Sequence, residues 1–274
     1  MIESKSLTFT GILVIAISLL FAIISYFQIQ YQFYVWEIFI DLKILSLIGI
    51  ILFLIKQKKI VFDHEQLAFL KWKWLVNILA FLFPVVIYIV VILLGLIFRQ
   101  VSLDRPDNSA TLVLATLFDI PAIYVFSVTS IFIEELFFRG VLYNSYRNAN
   151  SIWISGFITS GLFAIYSISE IVGIEEVNIM TVLILLLYFF SLGFFCIVIS
   201  QKLRSLWISY SLRIGIITLT PLFLTSQLVE SDSFFVTTSN LLFAEGIITS
   251  IILLVASILL IEKQPSVSHE ERII

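Results

Sequence analysis

The chain of 274 residues is 60% hydrophobic and only 13% charged, with a mean hydropathy of +1.10. Soluble domains carry about a quarter charged residues, so a water-soluble globule is excluded. Twenty-six Phe and ten Tyr beside ten Gly and five Pro exclude a disordered or low-complexity chain, and a net charge of -3 without a basic face argues against nucleic acid as a partner.

Apolar runs bounded by polar clusters predict eight helices, at 7 to 27, 36 to 55, 74 to 98, 111 to about 146, 152 to 172, 179 to 200, 205 to 225 and 241 to 262. The first is longer than the core of a signal peptide and lacks a small-x-small cleavage site after it, so it reads as an uncleaved span. The fourth is too long for one straight crossing, and Pro121 is expected to kink it. Cys196, the one cysteine, lies inside the sixth run and reads as a packing thiol. No repeat or linker divides the chain. The expected fold is all-α: a polytopic integral membrane protein of about eight transmembrane helices, forming a single membrane domain over 1–274.

Orientation follows from the basic residues. With the N-terminus inside, the inner connections and ends carry twelve Lys and Arg (Lys5, Lys56, Lys58, Lys59, Lys71, Lys73, Arg139, Arg147, Lys202, Arg204, Lys263 and Arg272), and the outer ones carry Arg99 and Arg105 alone. Positive loops resist translocation, so both termini are expected in the cytoplasm of a multi-pass plasma-membrane protein, bacterial by its short Lys-rich loops.

Ionisable groups in hydrocarbon are costly and are candidates for function by default. The densest set is Glu134-Glu135-Leu136-Phe137-Phe138-Arg139-Gly140 in the fourth run. Glu135 and Arg139, four apart, stack on one helix face, while Glu134 points about 100° away. One carboxylate is thus neutralised locally and the other is left for a different partner. The plainer alternative is a helix-end ion pair with Glu134 reaching the interface.

Ile133 to Gly140 resembles the EExxxR motif of the CPBP family, the CAAX-protease and bacteriocin-processing membrane proteins also called Abi. The order of later segments fits. Phe163-Ala164-Ile165-Tyr166-Ser167 resembles the family's FxxxH helix, and Ser205 to Ser209, leading to Arg213, resembles the run before its HxxxN helix. The similarity covers a core of about 111–220. It implies an intramembrane endopeptidase in which Glu134 activates water while Glu135 and Arg139 hold the helix, the motif histidines assist or bind a metal, and the Asn stabilises an oxyanion.

Three positions depart from that pattern: Ser167 and Arg213 stand where the histidines belong, and Ile217 where the Asn belongs. The two histidines of the chain, His64 and His269, fall in a loop and in the C-terminal tail. No cofactor is expected, and zinc belongs only to the active-peptidase reading, because two carboxylates are a poor zinc set. Arg213, roughly 12 Å into its span at 1.5 Å per residue, needs a carboxylate, and Glu134 is the best placed. The alternative is that Arg213 snorkels to the interface.

Elsewhere, Lys43 and Asp119 are expected to bridge at similar depth, with Asp41 nearby, and Glu170 and Glu245 to be interfacial. Gly156, Gly161, Gly193 and Gly215 are expected to permit close helix packing. The leading functional reading is a catalytically degenerate relative that binds a hydrophobic peptide or another membrane protein, in bacteriocin immunity or in regulation of an envelope or signalling protein. The alternatives are an active glutamate-dependent endopeptidase and a small membrane transporter subunit.

Overall fold

The computed structural model describes residues 4–30, 36–56, 72–97, 102–103, 121–147, 151–168, 179–225, 229–230 and 246–262. The described helices fall on the eight apolar runs. They are α1 (Ser4–Gln30), α2 (Trp36–Lys56), α3 (Trp74–Ile97), α4 (Pro121–Glu135), α5 (Tyr143–Arg147), α6 (Ile152–Tyr166), α7 (Ile179–Leu203), α8 (Leu206–Thr225) and α9 (Ile247–Glu262). A seven-residue π-helical segment, Leu136–Leu142, joins α4 to α5. The one described sheet is a two-residue antiparallel ladder, β1 (Ser102–Leu103) with β2 (Val229–Glu230), which ties the connection after α3 to the connection after α8.

The helices are inverted relative to a soluble bundle. Along α3, Leu75, Leu79, Leu82, Val86, Ile89 and Leu93 recur every three or four residues and are all exposed. A helix in water puts polar residues on that stripe; an apolar outer face fits lipid. Two described stretches, Trp74–Val91 and Val182–Leu203, are long and apolar enough to cross a membrane by themselves. Serines deal with the missing water by bonding back within their helices. Ser18, Ser191, Ser250 and Ser257 each donate to the carbonyl four residues earlier, at 2.6 to 3.0 Å.

The central helix is α7, against which α6, α8 and α9 pack, while α3 lies along α8 and α1 along α6. Tight approaches explain three of the four glycines. A Cβ on Gly215 of α8 would stand 2.1 Å from the Phe81 carbonyl oxygen of α3. One on Gly193 would stand 3.0 Å from Phe163, and one on Gly156 2.7 Å from Phe194. Gly161 is the exception: among the described residues nothing lies within 4 Å of such a Cβ, so it is not a packing glycine.

One end of the bundle is marked by tryptophan and lysine. Trp72 packs edge-on against both Trp74 and Trp207, and Trp207 stacks on Phe132. Lys73 Nζ donates to the Leu203 carbonyl at 2.6 Å and Lys202 Nζ to that of Leu260 at 3.1 Å, so the C-terminal turns of α7 and α9 are capped by cations. Aromatic and basic residues together suit a membrane interface.

The rod from α4 through α5 differs from the expected straight crossing. Phe132 meets Trp207 and Tyr210 in the first turns of α8, whereas Phe138, about a turn and a half on, meets Phe163 and Tyr166 of α6. The rod therefore crosses the bundle obliquely, from α8 to the groove between α1, α2 and α6. The described helix starts at Pro121, and any kink there falls outside the described residues.

Candidate functional site: a buried ion cluster

Four charged side chains meet where this oblique rod passes α6, α7 and α8. Glu134 and Glu135 end α4, Arg139 sits inside the π segment, and Arg213 enters from α8. All four are less than a tenth exposed, and Glu135 is fully buried. Arg213 works as a fork: Nη2 donates to Glu134 Oε2 at 2.7 Å and Nη1 to Glu135 Oε1 at 3.1 Å. Arg139 Nη1 stands 3.1 Å from the same Glu135 Oε1. Two carboxylates and two guanidinium groups leave no formal net charge, the condition under which such groups persist away from water.

The π turn belongs to this arrangement. Its signature is the Tyr143 N–H bonded to the Phe138 carbonyl five residues back. Wide turns of this kind are rare and recur at functional sites, because they re-aim the side chains around them. Here the wide turn carries Arg139 and buries Phe137 and Phe138 beside it.

Phe163 is the floor of the cluster. The Arg139 guanidinium carbon lies 4.2 Å from its ring centroid and that of Arg213 5.0 Å, so one aromatic face serves two cations. Desolvated cation–π contacts are worth about 2 kcal/mol or more. Gly193 lets α7 press Phe163 into place, and Phe138 packs edge-on against it at 5.3 Å.

The structure therefore brings together Glu134, Glu135, Arg139, Phe163 and Arg213. Arg213 does not snorkel, and it is shared by both carboxylates instead of serving Glu134 alone. Arg139, counted among the inner-loop cations, is a core residue, which leaves eleven inner against two outer. Ser167 does not stand in for a histidine: its hydroxyl donates to the Phe163 carbonyl at 3.1 Å and ends α6 as a cap. Ile217 is 39% exposed and brings no polar group to the Asn position. The side chains of Asp41 and Lys43, together with Asp119, Glu170, Glu245, His64 and His269, lie outside the described residues. Sequence reasoning missed Phe163 as a cation platform, and also Cys196, fully buried on α7 within electrostatic reach of Glu135, Arg139 and Arg213. Among the described residues no group of three or more His, Cys, Asp and Glu is placed to hold a metal.

Apolar outer faces around a sealed ionic core define a helical membrane protein whose polar chemistry is concentrated on one motif. Residues 115–218 match the model of the Rce1-like family, described as type II CAAX prenyl endopeptidase Rce1-like. That stretch contains every member of the cluster, and the match supports a CPBP/CAAX protease-like membrane protein. No curated protein and no solved structure matches the chain.

Proposed function

We propose that this CAAX-protease-like protein is a catalytically degenerate member that works by binding a hydrophobic peptide or a membrane partner. The observation carrying this reading is the Arg213 fork. A general base needs a free lone pair and an affinity for protons near working pH. A guanidinium bonded at 2.7 and 3.1 Å to Glu134 and Glu135 engages the first and opposes the second. Hydrolysis also needs an oxyanion stabiliser and a proton donor for the leaving amine. The sequence offers Ile217 and Ser167 at the positions the family pattern gives to Asn and His, and the Ser167 proton is committed to a backbone carbonyl.

The cellular role fits bacteriocin immunity or regulation of an envelope or signalling protein, and no cofactor is required. The protein is a single membrane domain of eight spans in a bacterial plasma membrane, with both termini cytoplasmic. The remaining eleven-to-two charge bias supports that orientation, and the β1–β2 ladder supports a common side for the connections after α3 and after α8.

The test is a pair of measurements. Purified protein should leave prenylated CAAX peptides uncut, with or without added zinc. Glu134→Gln, near-isosteric but useless as a base, should preserve the phenotype that deletion of the gene removes. Cleavage by the wild type that Glu134→Gln abolishes would instead establish an active endopeptidase, the reading favoured by the retained carboxylate pair and the family match.

A further inference from the structure

The turn between α7 and α8 holds more positive charge than the fold uses. Lys73 Nζ stands 2.6 Å from the carbonyl oxygen of Leu203, the residue between Lys202 and Arg204, so all three cations belong to one turn. Lys73 and Lys202 each make a single hydrogen bond, to Leu203 and Leu260, although an ammonium has three N–H groups to give. Among the described residues no carboxylate pairs with Lys73, Lys202 or Arg204. Arg204 is exposed and holds φ 46°, a left-handed conformation in which a Cβ is unfavourable. Glycine is the usual residue at such a helix ending. This turn therefore keeps a charged side chain where the backbone favours none at all.

The same place is apolar on its outer side. Trp72, beside Lys73, lies 5.1 Å from Trp207 in the first turn of α8 and 5.4 Å from Trp74, ring centroid to ring centroid. Trp74 is 73% and Leu75 71% exposed, and from Leu75 the outward apolar stripe of α3 runs on through Leu79 and Leu82. Three cations thus stand at the head of an apolar stripe, with indole rings between the two.

We infer that this turn is a headgroup site for an anionic glycerophospholipid, with the lipid phosphate at Lys73, Lys202 and Arg204 and the acyl chains along the leucine stripe of α3. Each part of the ligand answers a part of the surface. Indole rings sit at headgroup level, which sets the depth of the phosphate, and basic pockets between membrane helices take anionic head groups. A zwitterionic lipid would bring its own ammonium into a field of three cations, and free phosphate would leave the apolar stripe uncovered. The site is separate from the Glu134–Arg213 cluster and stands whether or not the protein cleaves peptides.

The test is a lipid titration of the purified full chain in detergent, with occupancy read by native mass spectrometry. The probes are phosphatidylglycerol and phosphatidylcholine of the same acyl chains, with inorganic phosphate as competitor. Phosphatidylglycerol should bind at least ten-fold more tightly than phosphatidylcholine, and inorganic phosphate should not displace it. Arg204→Gly is the informative variant, because it removes the charge while relieving the backbone. It should melt no lower than the wild type and yet bind phosphatidylglycerol about five-fold more weakly, the share of one cation near a headgroup. Lys202→Gln should lose a similar factor, and both variants should bind phosphatidylcholine as before. Lys56→Gln, which removes the exposed cation ending α2, should change neither affinity, since α2 packs on the motif rod instead. Equal affinity for the two lipids, undiminished binding in Arg204→Gly and Lys202→Gln, an equal loss in Lys56→Gln, or displacement by inorganic phosphate would each overturn the inference.

Discussion

Arg213 is the residue on which the reading of this protein turns, because a guanidinium answers in one side chain what a histidine and a metal would answer in a hydrolytic relative. Breaking a buried pair from one side strands a charge at a cost of about 3–5 kcal/mol in soluble proteins. Arg213→Ala is therefore expected to lower the melting temperature in detergent strongly, since it strands two carboxylates. Adding Glu134→Gln should recover part of the loss; strictly additive losses would show that the two residues do not interact in solution. Arg213→Lys should fall between, because a single ammonium cannot span both carboxylates as a planar fork does. Phe163→Leu should destabilise as well, since it keeps the volume roughly but removes the ring beneath both cations.

At the scale of the elements, close approach and backbone conformation decide what is tolerated. α3 carries Pro84, which removes one ladder hydrogen bond from the helix, and nearby Phe81 turns its carbonyl onto Gly215 of α8. Gly215→Ala would drive a methyl group into main chain, and overpacking of that kind costs about 1–3 kcal/mol. Gly161→Ala meets open space, and replacing a mid-helix glycine should gain about 0.5–1 kcal/mol. Thermal melts of the two variants should move in opposite directions. The α7–α8 turn holds a second lever. Arg204 has φ 46°, and the Ser205 N–H reaches back to the Ser200 carbonyl, a helix ending that favours glycine. Arg204→Gly is expected to raise stability by about 1 kcal/mol by relieving a left-handed residue that carries a Cβ. No gain in melting temperature would mean that the arginine side chain compensates for its backbone.

For the whole molecule, the exposed apolar stripes and the aromatic end suit a bundle in lipid, and the charge count predicts which way up it sits. Single cysteines introduced at Ser231 and Ser266 should respond oppositely to an impermeant thiol reagent on intact cells, with Ser231 labelled and Ser266 protected. The native Cys196 adds little background because it is fully buried. Labelling at Ser266 alone would invert the topology without touching the fold.

The positions of the described helices were legible in the linear chain because they fall on long apolar runs bounded by polar residues. The charged motif was legible for the complementary reason: Glu134, Glu135 and Arg139 are conspicuous against an apolar background, and Arg213 at its depth demanded an acid. Two features needed the tertiary structure. Arg213 could be assigned a carboxylate from depth, but its sharing between Glu134 and Glu135 depends on the oblique course of the rod and its π turn, which hydropathy does not encode. Gly161 and Gly215 look alike in sequence, and only the neighbour across the interface separates an empty position from an obligatory one.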